Sequence, residues 1–268
     1  MARDRGDVTD GSEEIVPSGV RTSAITSQSI GVDSLAVLLQ AVPPEAQSAA
    51  YAEAVLVDNL LGMERMSARQ NRLNTLQRLY QLRRESVLFR ALRDLWPLDE
   101  AGQPVLAGLC AMTRDTVFRA TAELVAELGV GEEVTTDSFA AAIEAAFPGA
   151  YRENTVRTIA TKASISWEQT GHLVDVSAGQ RVRIRERVTA ASGPSSVAYA
   201  LLLGHLQGHR GEALFESIWA RVLDRPRSRL LDLAATASQQ GMLEFRSSGG
   251  VIEVGFAQLL RPMEGQLL

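Results

Sequence analysis

Apolar residues recur at spacings of three and four along most of the chain, which predicts a succession of helices. Leu35, Val37, Leu38 and Leu39 follow a possible cap at Asp33 or Ser34, and Pro43-Pro44 stops that helix. A second helix is expected from about Pro44 to Leu61, with Ala50, Ala54, Val57 and Leu61 on one face and Gly62 at its end. Ser67 with Gln70 reads as a capping box for a third, whose core face carries Leu73, Leu76 and Tyr80. Amphipathic helices follow over 88–95 and over 104–128. The second of these is interrupted at Arg114-Asp115, by a buried ion pair or by a helix boundary near Thr113, and the boundary is the preferred reading. Thr136 or Asp137 caps the next helix, with Phe139, Ala142, Ile143 and Phe147 inward, and Pro148-Gly149 turns the chain.

From Tyr151 to Arg187 the period changes. Val156, Ile159 and Ala160 have helical spacing, then come Ser164 and Ser166, Trp167 and the turn Gly171-His172. Arg181, Arg183, Arg185 and Arg187 then alternate with Val182 and Ile184, as a strand with four guanidinium groups on one face. Helix, polar helix end, turn and basic ribbon is the order of a winged helix-turn-helix. After the small linker 189–193, helices are expected over 194–206, 212–223 and 228–240. A hairpin around Ser247-Ser248-Gly249-Gly250 ends the pattern. Helix, glycine and hairpin repeat the earlier order and suggest a second wing. The fold class expected is therefore mainly α, a helical bundle with winged helix-turn-helix-like units and short β-hairpins. Residues 1–20 are expected as a disordered polar tail, 21–188 as a helical domain with one winged unit, and 189–268 as a C-terminal helical domain ending in a hairpin wing.

Composition sharpens this picture. Of the 268 residues, 46% are hydrophobic and only 5% aromatic, so the core must be aliphatic. A single cysteine, Cys110, excludes a disulfide framework and a cysteine-based zinc site, which fits a reducing cytoplasm. No apolar run reaches the length of a membrane span, and the N-terminus lacks the apolar core of a secretory signal.

The net charge of -5 does not advertise nucleic-acid binding, but local charge does. Residues 64–93 hold eight arginines against Glu64 and Glu85, and 151–187 hold seven basic residues, including the only lysine, Lys162, against four acids. Arg65, Arg69 and Arg72 share one helix side, and with Ser67 they suit a phosphate site at a capped helix start. An ordinary solvated face is the plainer reading of both runs. His205 and His209 have a metal-compatible spacing without nearby cysteine, and His172 reads as structural rather than as a base. No phosphate loop, dinucleotide fingerprint, zinc-protease motif or nucleophile elbow is present, so nothing argues for an enzyme and no cofactor is expected.

Several stretches together resemble a known family. TSAITSQSI near the N-terminus, a helical pair, and then DNLLGMERMSARQNRL are similar to the opening of the BrxA-type proteins of BREX phage-defence systems. Asn59-Leu60-Leu61 with Arg65, Ser67 and Arg69 stands where that family has its Arg- and Ser-bearing helix start. The likeness covers roughly residues 21–175, and this chain departs from it by the added portion after about 189. The resemblance implies a helical, cytoplasmic, non-catalytic accessory protein that binds double-stranded DNA beside other defence-system subunits. On that expectation Arg65, Ser67, Arg69, Arg72, Lys162, Ser164, Ser166, Arg181, Arg183 and Arg185 touch phosphates, and Arg157 and Gln169 reach base edges. The alternatives are a protein–protein adaptor, which an exposed Trp167 or Trp219 would favour, and a transcriptional regulator.

Overall fold

The computed structural model describes residues 11–178 and 183–262. It is mainly helical, with two small antiparallel sheets. The chain begins with α1 (Val32–Ala41), α2 (Ser48–Leu56), α3 (Met66–Tyr80), α4 (Val87–Leu95) and α5 (Gln103–Arg114). Short α6 (Thr116–Ala120) and α7 (Ala122–Glu127) lead to β1 (Glu133–Thr135), α8 (Thr136–Ala146), α9 (Glu153–Gln169), β2 (Leu173–Asp175) and β3 (Ile184–Arg187). The chain closes with α10 (Pro194–Leu206), α11 (Ile218–Arg221), α12 (Arg227–Gln239), β4 (Glu244–Ser248) and β5 (Val251–Gly255).

One hydrophobic cluster, mostly aliphatic with buried aromatics such as Tyr51, Phe118, Trp167 and Trp219, runs from Ile15 to Leu259. At its centre α5 and α10 are buried on nearly every side. α10 packs against α4 and α5 as well as α12, so the expected boundary at residue 188 does not divide the core. The expected polar tail also starts to fold earlier than residue 21. Ile15 is buried, Val16 N–H donates to the Thr113 carbonyl, and the Glu14 carboxylate accepts from the Val87 and Leu88 amides at the start of α4. A carboxylate there satisfies amides that no helical carbonyl can reach. Residues 1–10 of that expected tail lie outside the described residues.

Several boundaries differ from the sequence pattern for local reasons. α2 stops at Leu56, five residues before Leu61, because the chain turns through left-handed Asn59 and Gly62. The Ser67–Gln70 capping box does not form. Arg65 is the N-cap of α3, which puts Ser67 inside the first turn, and the Gln70 amide donates to Asn74. The 104–128 run breaks at Asp115, whose carboxylate caps α6 through Phe118 N–H at 2.8 Å. The same buried carboxylate holds the Ala24 and Ile25 amides, so the boundary reading holds and Arg114 is not its partner. Residues 212–223 form a 3-10 turn and the four-residue α11 rather than one helix. The Gly249-Gly250 turn forms as expected, with φ of 59° and 82° joining β4 to β5, and Arg246 pairs with Glu253 across the strands.

Candidate nucleic-acid interface

The three-stranded sheet has the order β1-β3-β2, with α8 and α9 inserted between β1 and β2. Val134 faces Arg185 across β1–β3, and Leu173 faces Arg187 across β2–β3. α9 rests on this unit through Val156, Ile159, Ala160, Ala163 and Trp167, all buried. Trp167 fixes the C-terminal half. Its indole N–H donates to Thr121 Oγ1 at 2.8 Å, and its ring meets Phe118 and His172 at 4.9 Å each.

That seating leaves the outer face of α9 polar. Arg152, Asn154, Thr155, Arg157 and Thr158 are exposed, and Thr161 and Lys162 are half-buried. Thr158 and Thr161 hydroxyls donate to the carbonyls of Asn154 and Arg157, a back-bonding habit of helical threonine that keeps both side chains close to the helix surface. Arg157 makes a 2.9 Å ion pair with Asp137 of α8, and both groups are well solvated. A cleft of about 440 Å³ between α8 and the start of α9 also carries Glu144 and Glu153, so this end of α9 has acidic as well as basic neighbours. In the hairpin, Arg183 is exposed and bonds Asp175 at 2.7 Å. Hydrogen bonds from Ser177, then Arg183, hold the Asp175 carboxyl down to about 2.

The sequence-derived site residues separate into distinct places. Arg157 and Lys162 share the outer face of α9, and Arg183 lies on the hairpin beyond it. Arg181 lies outside the described residues. Ser164 and Ser166 are fully buried and cannot reach a phosphate. Both hydroxyls donate to carbonyls one turn back, and Ser166 Oγ also accepts from Ile30 N–H. Gln169 is occupied near the inner end of α9, where its side-chain oxygen accepts from Gly31 N–H at 3.1 Å.

Arg185 and Arg187 form the inward face of β3, each 1% exposed, so the four arginines of the ribbon do not share a solvent face. Internal carboxylates make this tolerable: Arg185 pairs with Glu168, and Arg187 with Asp224. Arg187 also donates to the carbonyls of Val125 and His172.

The second basic run behaves in the same way. Arg69 donates to the carbonyls of Leu56 and Met63, and so ties the α2–α3 connection to α3. Arg72 reaches the Ser29 carbonyl, and burial lowers the pKa of its guanidinium. Buried Arg93 donates to Leu39 and Val42 carbonyls at 2.6 and 2.7 Å, where α1 ends with unsatisfied acceptors. A guanidinium has five donors in a rigid fork, and several of the chain's arginines use it to bind carbonyls between segments. Of the proposed α3 phosphate site only Arg65 and Ser67 are exposed.

His172 is buried between Thr170 and Val222. A carbonyl only accepts, so Nε2–H donates to Val222 O at 2.7 Å, while Nδ1 lies 2.7 Å from the Thr170 hydroxyl, which also reaches the Trp167 carbonyl at 3.0 Å. Burial pushes its pKa down to about 4, which keeps the ring neutral. Burial also pushes the Cys110 thiol up to about 12. Among the described residues, no three His, Cys, Asp or Glu side chains converge as a metal site. Among the described residues no helix is long and apolar enough to cross a membrane.

Comparison with known proteins adds a likeness of shape. No protein-family model matches the chain, and no curated protein matches it. The crystal structure of magnesium ion-bound SspB is similar over 89% of this chain and 81% of its own, with a TM-score of 0.52 and 12% identity. A second SspB crystal structure matches over the same shares at 13% identity and a TM-score of 0.47. At such identity the first likeness is one of fold alone.

Proposed function

We propose that the chain is a non-catalytic, double-stranded-DNA-binding protein, that β1–α8–α9–β2–β3 is a winged helix-turn-helix, and that α9 is its groove-facing helix. The observation that carries this reading is the strand order β1-β3-β2, with α8 and α9 between the first and last strands and the outer face of α9 left polar. Arg152, Arg157, Lys162 and Arg183 supply the phosphate contacts, and Asn154 meets base edges. Arg157 and Arg183 exchange exposed ion pairs for phosphates at little cost, since solvated pairs of this kind add little stability. Membership of a phage-defence system is part of the proposal and rests on the likeness of residues 21–175 to BrxA-type proteins.

Duplex binding followed by fluorescence anisotropy across a salt series tests this. Four phosphate contacts give a log–log slope of magnitude about 3–4. No binding at low salt defeats the proposal. One observation favours a second reading, an adaptor: Val57 and Leu60 of the α2–α3 connection and Met66 at the start of α3 are exposed, at 72%, 38% and 58%. The tryptophans that would have anchored such a surface, Trp167 and Trp219, are buried.

A further inference from the structure

Away from α9, the end of α3 forms a cleft with the segment 22–24 and the end of α5. Its volume is about 340 Å³, at the small end of ligand sites. Three guanidinium groups line it, Arg78, Arg83 and Arg114, together with the side chains of Gln77 and Gln81 and the Thr22–Ala24 segment. Among the described residues, no carboxylate lines it and none of the three arginines makes an ion pair.

Two acids that hydrogen-bond wall residues, Glu14 and Asp115, are engaged by neutral donors. Glu14 accepts from Gln81, Ser86 and the Val87 and Leu88 amides, and Asp115 from the Ala24, Ile25 and Phe118 amides. The arginines are held by weak neutral acceptors instead. Arg78 donates to Ser23 O at 3.3 Å, Arg83 to Gln81 Oε1 at 2.7 Å, and Arg114 to Glu14 O at 2.8 Å. The buried Nε of Arg114 has no hydrogen-bond partner among the described residues.

The backbone at the cleft is also constrained. Gln81 and Leu82 are successive non-glycine residues in left-handed conformations, with φ of 64° and 43°. Such strain costs on the order of 1 kcal/mol or more per residue and collects at ligand clamps. Here it turns the chain so that Arg78 and Arg83 flank the same space. Converging guanidinium groups without counter-charges match the fork geometry of phosphate oxygens.

We propose that this cleft binds a compact, multiply charged anion of the phosphate type, as the diphosphate part of a small molecule. Pyrophosphate is the probe, titrated calorimetrically into the full chain at ionic strength held constant with sodium chloride. A saturable one-site isotherm is expected. Arg78→Ala with Arg83→Ala should weaken it by about tenfold or more, because two charge-assisted contacts are lost. Both residues are exposed, so an unchanged melting profile will show that the variant folds. Arg229→Ala with Arg246→Ala removes the same charge from other exposed positions and should leave affinity unchanged.

Absence of a saturable isotherm, equal affinity in the cleft variant, or equal loss in the remote variant overturns the proposal. Displacement of pyrophosphate by duplex DNA would assign these arginines to nucleic-acid phosphates and would overturn it too. Retention of pyrophosphate in the presence of duplex supports it. The α9 reading stands or falls separately, because its own variants leave this cleft intact.

Discussion

His172 Nε2–H donates to the carbonyl oxygen of Val222 at 2.7 Å, fifty residues along the chain, and burial rather than this bond keeps the ring neutral. The folded pKa is depressed to about 4 from the ordinary 6.5. For a depressed group, stability is fully present above the unfolded pKa and is lost as pH falls towards the folded one. Unfolding free energy should therefore drop on the order of 3 kcal/mol between about pH 6.5 and 4 on this account. Carboxylates titrate in the lower part of that window, so the diagnostic quantity is the difference between wild type and His172→Gln in urea melts. A difference that stays flat with pH would refute the assignment.

Arg187 and Asp224 form the second tie between the same two parts of the chain. Arg187 is 1% exposed, and Asp224 also holds the Ala190 amide. Removing one partner leaves a buried charge, and Arg187→Ala should cost about 3–5 kcal/mol in chemical unfolding. The double change Arg187→Met with Asp224→Asn should cost clearly less. Equal losses would mean that the arginine acts through packing alone.

α5 passes α9 closely at Gly108. A Cβ added there would stand 2.6 Å from Thr170 Cγ2 and 3.5 Å from its Cβ. Gly108→Ala should destabilise by about 1–3 kcal/mol through overpacking, despite the better helix propensity of alanine. Thr170→Ser removes the clashing methyl, so in the double variant most of that loss should return. A thermal double-mutant cycle measures the coupling. Additive effects would place the two helices farther apart than this.

The helices and the final hairpin were legible because apolar spacing and Gly-Gly chemistry are local signals. α10 starts and ends as read, and β4–β5 turns where the glycines demand it. The burial of Ser164 was missed, although it falls in the stripe of Ile159, Ala160, Ala163 and Trp167. That of Arg185 and Arg187 was not legible. Alternation in a strand separates two faces without saying which one is inside, and charge ordinarily decides for solvent. Here that rule is reversed by Glu168 and Asp224, which lie 17 and 37 residues away, so only the folded chain reveals them. The eight arginines of 64–93 misled for the same reason. Charge runs report composition, whereas Arg69 and Arg93 are set by carbonyls that α2 and α1 leave open.

This division of the arginines yields the sharpest test of the proposed DNA interface. Arg157→Ala and Lys162→Ala remove outer-face charges of α9 and should barely change stability, because the Arg157–Asp137 ion pair is exposed. Each should lower the magnitude of the salt slope by about 1 and weaken binding across duplex sequences alike. Asn154→Ala should leave the slope unchanged and reduce discrimination between sequences, by about 1–3 kcal/mol at the base it meets. Arg185→Ala should do the reverse: a large loss of stability from uncovering Glu168, with an unaltered salt slope where the protein remains folded. Anisotropy titrations of these four variants over one salt series separate a groove-facing α9 from a general attraction to charge. If Arg157 and Lys162 prove silent, α9 is not the contact, and the exposed α2–α3 connection with Val57, together with Met66 at the start of α3, becomes the surface to mutate next.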